Sequence, residues 1–218
     1  MFFLLLLTPA AEAGTITGTV RAHGKEGADQ QQGSGAYESR KLKFAPKVDY
    51  AELKDFVVYI DQEIPGLPEQ PAQIQRIVVQ KDAVFRPHVL PVIVGGTVEW
   101  PNEDDIYHNV FSFSDPKSFD LGLYRDDVKR VTFGGPGRVD VYCSIHKDMH
   151  CIILVLQNPF FAVVNAGGRF ALKDVPAGTY KLKAWHERLP PQVREIVVPE
   201  NGDVEADFDL GITGLPEY

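Results

Sequence analysis

Short segments in which apolar or β-branched residues alternate with polar ones recur along the chain. Residues 15–20, 56–60, 92–94, 97–100, 138–142, 151–156, 169–172, 180–185 and 195–198 each carry this period of two or a brief apolar run, and each predicts a strand. Only residues 50–54 suggest a helical turn, and no stretch sustains the 3.6-residue period of an amphipathic helix. The expected class is all-β, with enough strands for two sandwiches.

Three breaks divide the pattern. Residues 24–39 are rich in Gly, Gln and charge and read as an exposed loop or insert. Pro65, Pro68 and Pro71 form a second break, read as a linker, and Gln157-Asn158-Pro159 a third. The last two enclose a block of about 85 residues, the size of a small β-sandwich. At the N-terminus, Phe2 to Leu7 is an apolar run followed by Ala11-Glu12-Ala13, an A-x-A pattern that predicts an export signal over residues 1–13. The run is short and no Lys or Arg precedes it, so a start further upstream is expected; a buried first strand is the alternative. It is also far too short to span a bilayer, which takes about 20 apolar residues, so no transmembrane segment is expected.

Composition narrows the function. The 218 residues are 44% hydrophobic and 24% charged, as in a folded globular protein. A net charge of -8 opposes nucleic-acid binding, which needs a basic face for phosphates, and leaves protein partners with basic patches open.

The candidate chemistry lies in Cys143-Ser144-Ile145-His146-Lys147-Asp148-Met149, a C-x-x-H-x-x-M run directly after a predicted strand, with His108 about 35 residues earlier. Two imidazoles and a thiolate with a weak thioether are the donor set of a mononuclear blue copper site. Thiolate and thioether favour Cu(I), imidazole serves both oxidation states, and one compromise geometry lets an electron come and go with little rearrangement. Met149 is the only methionine beyond Met1, and it falls in register behind the cysteine and histidine. The leading alternative is a Cys143–Cys151 disulfide with incidental histidines, the ordinary expectation in an oxidising compartment. Zinc suits the set less well because its sites use N, O and thiolate donors. His88 and His150 compete as ligands, His150 as an axial substitute, whereas His23 and His186 belong to other segments. The Asp104-Asp105 and Asp126-Asp127 pairs read as solvated turns, Trp100 as core, Tyr107 as packing and Cys151 as a buried free thiol.

Residues 74–156 resemble the plastocyanin and azurin superfamily, and the short ligand loop is similar to that of amicyanin. The resemblance rests on Phe85-Arg86-Pro87, Gly95-Gly96-Thr97-Val98-Glu99-Trp100-Pro101-Asn102, Asp105-Ile106-Tyr107-His108-Asn109-Val110, Pro136-Gly137 and the C-x-x-H-x-x-M loop. It implies a cupredoxin Greek-key β-sandwich over 70–157 in which His108 is the first ligand, and in which Asn109 ties its strand to Ser144. Residues 162–170 and Val175-Pro176-Ala177-Gly178-Thr179-Tyr180 resemble a carboxypeptidase-regulatory, transthyretin-like β-sandwich, whose opening strands residues 14–20 and 56–60 also resemble. The whole chain thus resembles bacterial methylamine utilisation proteins, in which the two modules occur together. The expected organisation is a discontinuous sandwich of residues 14–64 and 158–218 with the copper domain inserted, the alternative being a purely C-terminal second module.

The function expected is a periplasmic or secreted one-electron carrier, not an enzyme. It would hold one type 1 copper through His108, Cys143, His146 and Met149 and serve a redox partner protein whose identity the residues leave open. A copper-binding or assembly protein, and an extracytoplasmic scaffold with a structural copper, are the alternatives.

Overall fold

The computed structural model describes residues 13–24, 49–67, 74–200 and 202–211. The expected signal at residues 1–12, most of the Gly/Gln-rich segment, and Pro68 and Pro71 of the expected linker lie outside these. The protein is all-β. Its strands are β1 (Ala13–His23), β2 (Val57–Ile60), β3 (Ile74–Ile77), β4 (Val79–Lys81), β5 (Val84–Arg86), β6 (Val89–Ile93), β7 (Thr97–Pro101), β8 (His108–Ser114) and β9 (Lys117–Tyr124). They continue with β10 (Val128–Thr132), β11 (Gly137–Tyr142), β12 (His150–Leu156), β13 (Phe161–Val163), β14 (Arg169–Pro176), β15 (Gly178–His186), β16 (Leu189–Val198), β17 (Val204–Glu205) and β18 (Phe208–Gly211). The helical turn expected at 50–54 is a 3-10 turn, Tyr50–Glu52, whose N-terminus the Asp49 side chain caps by accepting from the Ala51 amide at 3.0 Å.

The chain forms two compact units, one from Met1–Tyr59 with Ala162–Tyr218 and the other from Ile60–Phe161. In the first, β1 pairs antiparallel with β14 and parallel with β17 and β18, while β13, β2, β15 and β16 form a second sheet in that order. Alternation sets the inward face: in β14, Phe170 and Leu172 are buried between exposed Arg169, Ala171 and Lys173, and in β15 Tyr180, Leu182 and Ala184 are buried.

In the Ile60–Phe161 unit, a five-stranded sheet runs β6-β12-β11-β8-β9 and a three-stranded sheet runs β10-β7-β3. One core joins residues of both: Val98 and Trp100 of β7 and Val131 of β10 with Val110 of β8, Val139 and Val141 of β11, and Ile153 and Val155 of β12. This is a sandwich, two sheets burying their inner faces on each other. The apolar strand β12 lies inside the sheet, antiparallel to β11 and parallel to β6, and Cys151 to Leu156 are buried on both of its faces. Burying each of its large aliphatic side chains contributes about 1.5–3 kcal/mol. Its partner β11 alternates, with Val139 and Val141 inward. Hence the β11–β12 hairpin is anchored on both sides of the turn that joins it.

Candidate metal centre

That turn is Cys143 to Met149, between paired Tyr142 and His150. Its ends are tied where the Cys143 amide donates to the Met149 carbonyl at 3.3 Å, and inside it the Met149 amide donates to the His146 carbonyl at 3.1 Å. Two internal bonds in so short a turn fix which way its side chains point. Cys143 and Met149 turn inward, Met149 being 1% exposed, and both join the sandwich core. Lys147 and Asp148 point to solvent, and His146 is half-buried.

His108 opens β8 and is 0% exposed. Its Nδ1 lies 3.1 Å from His146 Nδ1, which lies 3.7 Å from Cys143 Sγ. One ligand atom from each of the three residues falls within 4.8 Å of the other two. Two ring nitrogens facing each other can share only one proton, so such a cluster gathers lone pairs in one place. Soft sulfur beside imidazole nitrogen suits copper, and the donor chemistry fits the metal expected from the sequence.

The surroundings hold the sulfur. The Asn109 amide donates to Cys143 Sγ at 3.5 Å, its side-chain Oδ1 accepts from the Ser144 amide at 3.3 Å, and its Nδ2 donates to Asp120 Oδ1 at 2.6 Å. The Asn109–Ser144 tie expected from the resemblance is thus present. Beneath it, Tyr124 donates to the Trp100 carbonyl at 2.8 Å, and burial pushes its phenol well above the usual range, with Gln80 partly offsetting this.

The competing histidines form a separate group. His88 Nδ1 donates to the His150 carbonyl at 3.2 Å, and the two rings meet edge to face at 5.4 Å. His150 Nε2 donates to Asp140 Oδ1 at 2.9 Å, and its ring stacks on Tyr142 at 4.7 Å. Burial works to raise the Asp140 pKa, but its bonds from Arg138 and His150 outweigh that and hold it below the usual value. The disulfide alternative does not occur: Cys143 and Cys151 are both free, and burial pushes the Cys151 thiol well up, with the Asp140 charge adding.

Two residues differ from their readings in the sequence: Tyr107, read as packing, is 54% exposed with Arg125 over its ring, and Asp104 departs further. Asp104 is no solvated turn: its Oδ2 lies 2.7 Å from His108 Nε2, and it accepts from the Asp82 and Ala83 amides at 2.7 and 3.0 Å. Burial opposes its ionisation, yet these bonds hold its carboxyl below the usual range. The i, i+4 spacing from Asp104 to His108 was the available signal, but outside a helix that spacing implies no contact.

No protein-family model matches the chain, and no curated protein matches it either. Several solved structures do, each of those compared below over less than half of it. A Cu-containing nitrite reductase from Thermus scotoductus is 28% identical over 44% of this chain and 26% of its own, with a TM-score of 0.38. A purple cupredoxin from Nitrosopumilus maritimus is 23% identical over 37% of this chain and 99% of its own, at 0.34. A Cu(I) structure of an amicyanin mutant is 22% identical over 45% of this chain and 97% of its own, at 0.35. This chain therefore spans about a quarter of the reductase and nearly all of the two smaller proteins. With TM-scores this low, the assignment of the site rests on the residues above. No helix among the described residues is long and apolar enough to cross a membrane.

Proposed function

We propose that the protein holds one copper ion through His108, Cys143, His146 and Met149 and carries single electrons. The observation that carries this reading is the convergence of one ligand atom each from His108, Cys143 and His146 within 4.8 Å, from a buried strand and a tied turn. The copper would supply the one-electron couple. The chain's own residues would give it a fixed place: β8 would set His108, the turn would set Cys143 and His146, and Met149, buried at the turn's last position, would complete the set. His146, half-buried between exposed Ile145 and Lys147, would offer a partner protein an edge within electron-transfer reach. The export signal expected at residues 1–13 would place such a carrier in the periplasm or outside the cell. Copper-loaded protein should bleach with ascorbate and recover its colour with ferricyanide over repeated cycles. Copper lost to a chelator at each reduction would instead indicate copper delivery.

We further propose that Ile60–Phe161 is an inserted copper domain and that the flanking segments form one carboxypeptidase-regulatory-like sandwich. Pairing of β1 with β14, β17 and β18 supports this, because it joins the chain's two ends in one sheet. A fragment of about residues 60–161 should fold alone and bind copper, since both sheets of its core lie inside it. A fragment ending at 161 should leave β1 without partners and aggregate. A soluble version with protected β1 amides would refute the arrangement.

A further inference from the structure

The β4–β5 hairpin has an unusual turn. Its two central residues, Asp82 and Ala83, both lie in the left-handed region, at φ 56° and 52°, between paired Lys81 and Val84. A two-residue turn of this kind favours Asn-Gly or Asp-Gly, and an alanine there is strained because its Cβ crowds the following carbonyl. Strain of this sort persists where the surroundings over-determine it. Here the surroundings are one carboxylate: the successive Asp82 and Ala83 amides form a small anion-binding concavity, and Asp104 occupies it with both oxygens. The Asp104 amide is itself fixed, donating to Asn102 Oδ1 at 3.0 Å, and the Asn102 side chain donates to the Ile106 and Tyr124 carbonyls. The carboxylate is therefore held from two sides, and its Oδ2 meets the buried ring of His108.

We propose that Asp104, seated in the Asp82–Ala83 turn, is the positioning residue that prepares His108 for metal; this rests on the copper reading above. An ionised carboxylate only accepts, so the proton of the neutral His108 ring resides on Nε2. That leaves Nδ1 bare, and Nδ1 is the atom that lies 3.1 Å from His146. Orienting a ligand imidazole through its other nitrogen fixes tautomer and ring plane together. The turn strain is thus coupled to the site: the hairpin holds Asp104, Asp104 holds His108, and the donor atom is in place before metal arrives.

The test begins without metal. Nitrogen-15 NMR of the metal-free protein should show His108 protonated on Nε2 and bare on Nδ1. In Asp104→Ala, both tautomers should appear, and Cu(II) should bind about 10–100-fold more weakly. The near-UV circular dichroism of the protein should stay unchanged. Asp104→Asn keeps an acceptor for Nε2–H but sets an NH2 group against the Asp82 amide, so its affinity should fall between the two; it also serves if the alanine variant fails to fold. Glu103→Ala, which removes a neighbouring carboxylate paired with Lys81, should leave tautomer and affinity as in the wild type. A metal-free His108 protonated on Nδ1, or Asp104 variants with wild-type copper affinity, would overturn the proposal. A wild-type protein that shows the Nε2 proton and binds no copper would instead overturn the copper reading, leaving the positioning contact standing.

Discussion

His108 and His146 bring their Nδ1 atoms to within 3.1 Å of each other from unlike settings, one ring fully buried at the start of a strand and the other half-buried on a turn. The buried ring gives the site its fixed reference, and the half-exposed one gives it an outlet. Cys143, next to both, is anchored by the ends of its own turn and by the Asn109 amide.

Removing the thiolate should remove the colour. Cys143→Ser should abolish any intense thiolate-to-copper absorption, because that band needs a copper–sulfur bond. Cys151→Ala should keep it, at a stability cost on the order of 1 kcal/mol. Absorption spectra of the two copper-loaded variants check this; colour lost with Cys151 alone would contradict it.

The four histidines of the unit should separate into two classes. His108→Ala and His146→Ala should weaken copper binding beyond the about 10–100-fold that loss of an outer partner costs. His88→Ala and His150→Ala should bind as the wild type does, since those rings engage each other, Asp140 and Tyr142. Isothermal titration of the four variants decides it.

Met149 should tune and not anchor. A thioether would bond copper only weakly, so Met149→Leu should raise the reduction potential and Met149→Gln should lower it, the amide oxygen being a harder donor that favours Cu(II). Both should retain copper. Voltammetry under one buffer gives the order, and unchanged potentials would remove Met149 from the ligand set.

The other unit should carry a pH dependence of its own. His186 packs on Phe56 at 4.6 Å, and its Nδ1 accepts from the Arg188 amide at 3.1 Å, so the ring is needed neutral. Burial lowers its pKa below the ordinary value of about 6.5, so the unfolded chain binds the proton more readily. Stability from this residue is therefore complete above about pH 6.5 and falls away as the pH drops toward the folded value. The urea midpoint should drop between about pH 7.5 and about pH 5.5 in the wild type, and by less in His186→Gln. Equal drops would remove His186 as the cause.

The ligand turn was legible in the sequence because its donors lie within seven residues on a tight connection, where spacing alone constrains geometry. So were β1, β7, β11 and β14, whose apolar positions alternate and point inward. Strand β8 was not, because it inverts the rule: His108, Asn109 and Ser112 are buried while Phe113 is 81% exposed. Asn109 is inside because it serves Cys143, Ser144 and Asp120, His108 because it belongs to the cluster, and the Ser112 hydroxyl accepts from the Ser114 amide; periodicity registers none of this. Strand β10, Val-Lys-Arg-Val-Thr, was hidden by the charges that an edge strand carries. The role of Asp104 was illegible for a different reason. It depends on a hairpin some 20 residues earlier folding back with two left-handed residues, and alanine at such a position gives no sign of it.

The most direct test of the copper centre is a titration of the metal-free wild-type protein with Cu(II), followed by visible absorption and EPR. One equivalent should saturate an intense thiolate-to-copper band with a single mononuclear Cu(II) EPR signal. A protein that stays colourless, saturates at another stoichiometry, or gives only the signal of copper bound through nitrogen and oxygen would contradict it.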